Sequence, residues 1–299
     1  MRRPYTWEST LIVFLFLLIL LGLNLFFGLI QILVSEPLIF SPILIIGELF
    51  FLGVVIAWVA FRRLPWQETF YLYKTSWTLV GLGVLLAVTW WPVAVGLGTL
   101  MEQLFSLIGP PPEIPMPRNT LDAIGYVIAI VILAPLCEEP IFRGFVMRGW
   151  LRYGFVAGVV GSGTLFGLQH AQLAGLIPLS VVGVVLGIVV FRAGSLVPGV
   201  VLHAVYNGIA VPFLVVPDLV PEIEDSSFMI AGAIFAPIAL FTLWLYHRRS
   251  PSQTPAQPAS FHRNQIVATL ISLVLVLGMF MVIASLEILV RLNPELVGG

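Results

Sequence analysis

The sequence predicts an all-α, polytopic transmembrane helical bundle, and three observations lead there. Of 299 residues, 59% are hydrophobic and only 10% charged, with a mean hydropathy of +1.05; a soluble domain carries about 25% charged residues. Apolar runs of about 20 residues, the length that crosses a hydrocarbon core, recur along the chain. Lysine and arginine fall between those runs in an alternating pattern. The formal net charge of −1, with no basic run, excludes a nucleic-acid partner. A single cysteine, Cys137, excludes an intrachain disulfide framework.

The elements follow in order. Arg2 and Arg3 precede an apolar run that is too long for the h-region of a signal peptide and lacks a small-residue cleavage site, so 10–34 reads as an uncleaved first span. Further spans are expected at about 38–61, 76–100, 121–142, 155–174, 178–191, 195–216, 227–246 and 266–290. The sixth is short and either crosses or is re-entrant, giving nine spans or eight. Proline cannot continue a helix, so Gly109–Arg118 is a loop. Asp218–Asp225 is an acidic loop, and Ser250–Ser260 reads as a flexible linker. The chain thus divides into N-terminal helices (1–75), a core (76–247), a linker (248–265), and a C-terminal helix with its tail (266–299).

With the N-terminus inside, the inner flanks hold Arg2, Arg3, Arg62, Arg63, Lys74, Arg143, Arg148, Arg152, Arg192, Arg248, Arg249 and Arg263. The outer flanks hold Arg118 and Arg291, a split of 12 to 2 that uses all 14 basic residues. The positive-inside rule then favours a cytoplasmic N-terminus and an outer C-terminus.

Ionisable groups inside spans are costly and rare, so they are candidates for function. The fourth span ends in APLCEEPIFRGF. Glu139 and Arg143 are one helical turn apart, glutamate first, which suits an ion pair. Glu138 points about 100° away and is left without that partner. The bland alternative is a charge cluster that ends the helix. His170 follows Phe166 by four residues, and His203 precedes Asn207 by four on one helix face. Either could simply be an interhelical hydrogen-bond group. Together, Glu138, His170, His203 and Asn207 could activate a water and stabilise an oxyanion. Glu138, His170 and His203 could equally hold Zn²⁺ with a fourth position open to water. Helix counting puts Glu138 near the inner end of its span and His170 near the outer end of its own, so a meeting requires an offset helix.

The motifs EExxxR (Glu138, Glu139, Arg143), FxxxH (Phe166, His170) and HxxxN (His203, Asn207), in this order, resemble those of the CPBP family. This is also called the CAAX protease and bacteriocin-processing, or ABI, family, and it includes the CAAX prenyl proteases. The resemblance covers about 76–247 and implies an intramembrane protease, either a metalloprotease or a metal-free glutamate protease. It implies Glu138 as catalytic glutamate, His170 as its partner in activating water, and His203 with Asn207 as the oxyanion pair. Glu139 and Arg143 would form the supporting ion pair, with Phe166 packing near His170. The implied partners are the lipid bilayer and a membrane-embedded or lipidated peptide substrate.

Rival readings remain. A non-catalytic member would act in immunity or partner binding through the same cavity. A proton-coupled transporter would use Glu138 and His170 as a relay, but the chain lacks inverted repeats. Ser162 sits too far from His170 for a serine–histidine pair, and no H-E-x-x-H or G-x-G-D motif occurs. Glu48 and Glu287 are isolated and are expected to meet a hydrogen-bond partner or the interface.

Overall fold

The computed structural model describes residues 3–33, 39–112, 115–217, 220, 223–251 and 262–294. Asp218 and Glu222 of the acidic loop, most of the 250–260 linker and the 295–299 tail lie outside the described residues. Among those described, every regular element is helical.

The principal helices are α1 (Thr6–Leu33), α2 (Ser41–Phe61), α3 (Trp77–Phe105), α4 (Thr120–Tyr153), α5 (Phe155–Gln169), α6 (Leu176–Ala193), α7 (Val197–Val215), α8 (Asp225–Arg249) and α9 (Arg263–Leu292). Among the described residues, eight are long and apolar enough to cross a membrane; α5 is not. Eight is thus the number of helices long enough to span, not a number of crossings, and the short element is the fifth segment rather than the sixth. With 15 residues, α5 rises only about 22 Å, less than a hydrocarbon core. Backbone groups in lipid must be satisfied internally, and helices do this while turning leucine, isoleucine and phenylalanine outward. Leu25, Phe26, Ile46, Leu240 and Val274 are among the large exposed side chains.

Two apolar cores organise the bundle. One joins α1, α2, α4, α5 and α9 around Phe16, Val55, Phe142, Phe166 and Val276. The other joins α3, α6, α7 and α8 around Leu86, Leu186, Leu202 and Tyr246. Small residues allow the closest crossings. A Cβ on Gly183 would lie 2.8 Å from the Gly163 Cα, so α5 and α6 pack backbone to backbone.

The fourth span also differs from expectation. It continues through Arg143 to Tyr153, where Gly154 turns the chain at φ 101°. Its course is broken by two π-helical stretches, Ile128–Leu133 and Pro140–Val146. EExxxR therefore sits mid-helix, and the mismatch in depth disappears. The longer α4 carries Glu138 away from the boundary, and the short α5 brings His170 to a similar level.

Two of the basic residues assigned to flanks are buried. Arg143 is fully enclosed beside Glu139. Arg291 is held by Glu287 at 2.9 Å and by Glu102 of α3 at 2.7 Å. Glu8 of α1 pairs likewise with Arg62.

Candidate active site

Proline builds the floor of the site. The Ala134 N–H bonds back to the Ala129 carbonyl, five residues earlier. The next such bond would run from residue 135 to Ile130, but Pro135 has no N–H. The Ile130 carbonyl is thus left over at the end of a π-helical turn. Asn207 Nδ2 donates to it at 2.8 Å, which ties α7 to α4. One N–H of the amide is used there, and its second remains.

One turn further, α4 presents its two glutamates differently. Glu139 is fully buried, with Oε1 3.0 Å from Arg143 Nη1 and 2.9 Å from His203 Nδ1. Arg143 lies over the Phe166 ring at 4.3 Å, a cation–π contact, and its Nη2 is 3.4 Å from the Gly183 carbonyl. Gly199 lets α7 approach, since a Cβ there would sit 2.4 Å from Val190 Cγ2 and 3.3 Å from Glu139 Oε2. Glu138 turns the other way. Its Oε2 is enclosed, makes no hydrogen bond, and lies 3.8 Å from His203 Nε2. His203 thus stands between the two carboxylates, bonded to one and facing the other.

His170 caps the C-terminus of α5. Its Nδ1 is 2.8 Å from the Phe166 carbonyl, and its ring meets that of Phe166 edge-on at 4.7 Å. A ring that donates from Nδ1 keeps a lone pair on Nε2. Phe166 also reaches His203, at 5.9 Å between ring centres.

These parts line one cavity of about 330 Å³, whose wall includes Glu48, Glu138, Phe166, His170, His203 and Asn207. All four residues expected to do chemistry reach it, as does Phe166. Glu139 and Arg143 stand behind it. The reading of the sequence set Glu48 aside, whereas α2 carries it into this wall. Its only signal in the sequence was to be the single charged residue of an otherwise apolar span. No three His, Cys, Asp or Glu side chains come close enough to hold a metal ion among the described residues. The proposed steps use these side chains and water.

The loop after His170 is held from outside. Ala171 has φ 55°, a conformation that non-glycine residues seldom adopt. Two residues on, the Leu173 N–H donates to Glu287 Oε2 of α9 at 2.9 Å, and Arg291 Nε holds the other Glu287 oxygen at 3.0 Å. Glu287 therefore meets partners, as expected, and they fix the His170 turn. If His170 acts as the resemblance implies, Glu287→Ala is expected to lower the rate of peptide cleavage about tenfold to a hundredfold, because small misplacements of a reacting group are expensive. Glu287→Gln keeps an acceptor for Leu173 and should retain most of it. Steady-state kcat of the reconstituted variants checks this.

The family model for type II CAAX prenyl endopeptidase Rce1-like proteins matches residues 120–209. That stretch contains all seven motif residues from Glu138 to Asn207, and lies within the 76–247 core. No curated protein and no solved structure matches the chain. With eight apolar helices of spanning length and this match, the chain is an integral, multi-pass membrane protein.

Proposed function

We propose that this chain, whose residues 120–209 match the Rce1-like family model, is a CAAX-type protease, an intramembrane endopeptidase acting on a membrane-associated or lipidated peptide. The family's description names CAAX prenyl endopeptidases, so C-terminal CAAX-type processing is the preferred substrate class. One observation carries the reading: the Glu138 carboxylate has an oxygen free of hydrogen bonds beside two imidazoles in a cavity inside the bundle.

Water sits between Glu138 and His170, donating one hydrogen bond to each. Glu138 takes the first proton as the water oxygen attacks the scissile carbonyl carbon. The carbonyl oxygen becomes an oxyanion and accepts hydrogen bonds from the spare Asn207 N–H and from His203 Nε2. His203 can donate there only when doubly protonated, because Nδ1 already faces Glu139. A protonated His203 and Arg143 would balance the charges of Glu138 and Glu139. The tetrahedral species collapses, the C–N bond breaks, and Glu138 returns its proton to the leaving amine. The new carboxylic acid gives up the second water proton, through His170 Nε2, to the amine, so the products are a carboxylate and an ammonium, with Glu138 again ionised and His170 neutral.

The test is cleavage by the reconstituted protein in H₂¹⁸O, using a prenylated CAAX peptide and an unprenylated membrane peptide. One ¹⁸O in the new carboxylate is expected. Intact peptides throughout, with a Glu138→Gln protein still supporting the cellular phenotype, would overturn the reading in favour of a non-catalytic partner-binding member. Metal analysis and a chelator arm accompany it. Activity lost to chelation and restored by Zn²⁺ would overturn the metal-free cycle alone.

Orientation belongs to the same proposal. In the α5–α6 hairpin the chain returns to the side it left, however deeply the hairpin penetrates. Arg62, Arg63, Arg248 and Arg249 then share one side, which the positive-inside rule makes cytoplasmic. The N-terminus would be cytoplasmic and the C-terminus outside. Tags at the two ends of the full chain should show opposite protease accessibility in sealed vesicles; equal accessibility would refute it.

A further inference from the structure

Glutamates within the spans follow a pattern with two exceptions. Glu8 pairs with Arg62, Glu139 with Arg143, and Glu102 and Glu287 with Arg291. Glu138 has no arginine, which suits the base role assigned above. Glu48 has no hydrogen bond or ion pair among the described residues, and the cycle makes no use of it.

Glu48 sits in the third turn of α2, a span otherwise without charge, and lines the cavity that holds Glu138, His170 and His203. Its carboxylate lies within electrostatic reach of Glu138 and His203. The described lining contains two carboxylates and neither lysine nor arginine. A charge at this depth is costly and calls for a partner. The protein supplies none, and the cavity opens the group to whatever enters. Low local dielectric strengthens a pair formed there. Lysine and arginine are suited to it, because their apolar stems lie along a greasy wall while the charged end reaches an anion.

We propose that Glu48 is a specificity-determining residue that pairs with a lysine or arginine side chain of the bound peptide, close to the scissile bond. This rests on the cavity being the peptide site. Glu48 lies outside the 120–209 match, so the contact would belong to this chain's choice of substrate, while the residues that act on the bond lie within the match.

The experiment reads binding as well as cleavage. Full-length protein carrying Glu138→Gln is placed in lipid nanodiscs and titrated with fluorescent lipidated peptides. Each pair has lysine or its neutral counterpart norleucine at one position, scanned along the peptide. At one position the lysine peptide should bind at least about tenfold tighter. Adding Glu48→Gln should erase that ratio, and Glu48→Lys should invert it towards a peptide with glutamate there. A ratio near one at every position, or one that survives Glu48→Gln, overturns the proposal. Wild-type cleavage without a lysine preference would sink this inference and leave the protease reading standing. Preference without cleavage would do the reverse.

Discussion

Glu138→Gln is expected to abolish cleavage while leaving the fold untouched, the largest effect on activity of any single substitution in the chain. General-base removal costs about 10²–10⁴ in rate, and no neighbouring group can substitute. Glu139 is nearest in sequence, but Arg143 and His203 already occupy its Oε1 and it does not line the cavity. His170 would meet the same water in the proposed cycle, and with Nδ1 turned to the Phe166 carbonyl its Nε2 lone pair would set whatever residual rate remains. The fold should not notice the change. Glu138 Oε2 bonds to nothing, and its 3.8 Å approach to His203 is too long for a hydrogen bond. Removing one of two adjacent like charges relieves repulsion, so the unfolding midpoint in detergent should stay level or rise. Single-turnover cleavage beside a thermal unfolding curve checks both halves. Cleavage at the wild-type rate would remove Glu138 from the chemistry altogether.

How far the sequence foretold this arrangement depends on what each residue needs from its neighbours. Helices and their lipid-facing sides were legible because hydropathy is a local property, and the motifs came through because each occupies one turn of one helix. The Glu139–Arg143 pair is of this kind, both members lying on α4. Properties set by distant partners were not legible. Arg143 looked like a flank charge that ends a span, since nothing nearby in sequence shows Phe166 and Gly183 closing over it. The burial of Arg291 was hidden for the same reason, its partner Glu102 being 189 positions away. Glu48 looked inert because its cavity is built by other helices. The short element was misplaced because an apolar loop, Ala171–Gly175, extended the α5 run in hydropathy although the helix stops at Gln169.

The second large effect falls on stability, at the neighbouring glutamate. Arg143→Met should cost about 3–5 kcal/mol, the penalty for leaving one member of a buried ion pair without its partner. Glu139 is fully buried, its second oxygen has no protein hydrogen-bond partner, and besides His203 no protein group stands ready to take over from the guanidinium. Glu139→Gln strands Arg143 in the same way, with only the 3.4 Å Gly183 contact and the Phe166 ring left to it. The double variant Glu139→Gln/Arg143→Met removes both charges together. It should recover much of the loss, so the two single costs will exceed the cost of the pair. Reversible unfolding in mixed detergent micelles measures the cycle, and simple additivity would mean that the two groups do not act as a unit. The rescued fold should still cleave poorly, because His203 Nδ1 would face a neutral amide where it had a carboxylate. The ring would then lose the anion that holds its proton on that nitrogen and turns Nε2 towards Glu138. In the proposed cycle the adjacent glutamates would thus divide the work, Glu139 fixing the ring and the helix while Glu138 stays uncommitted for water.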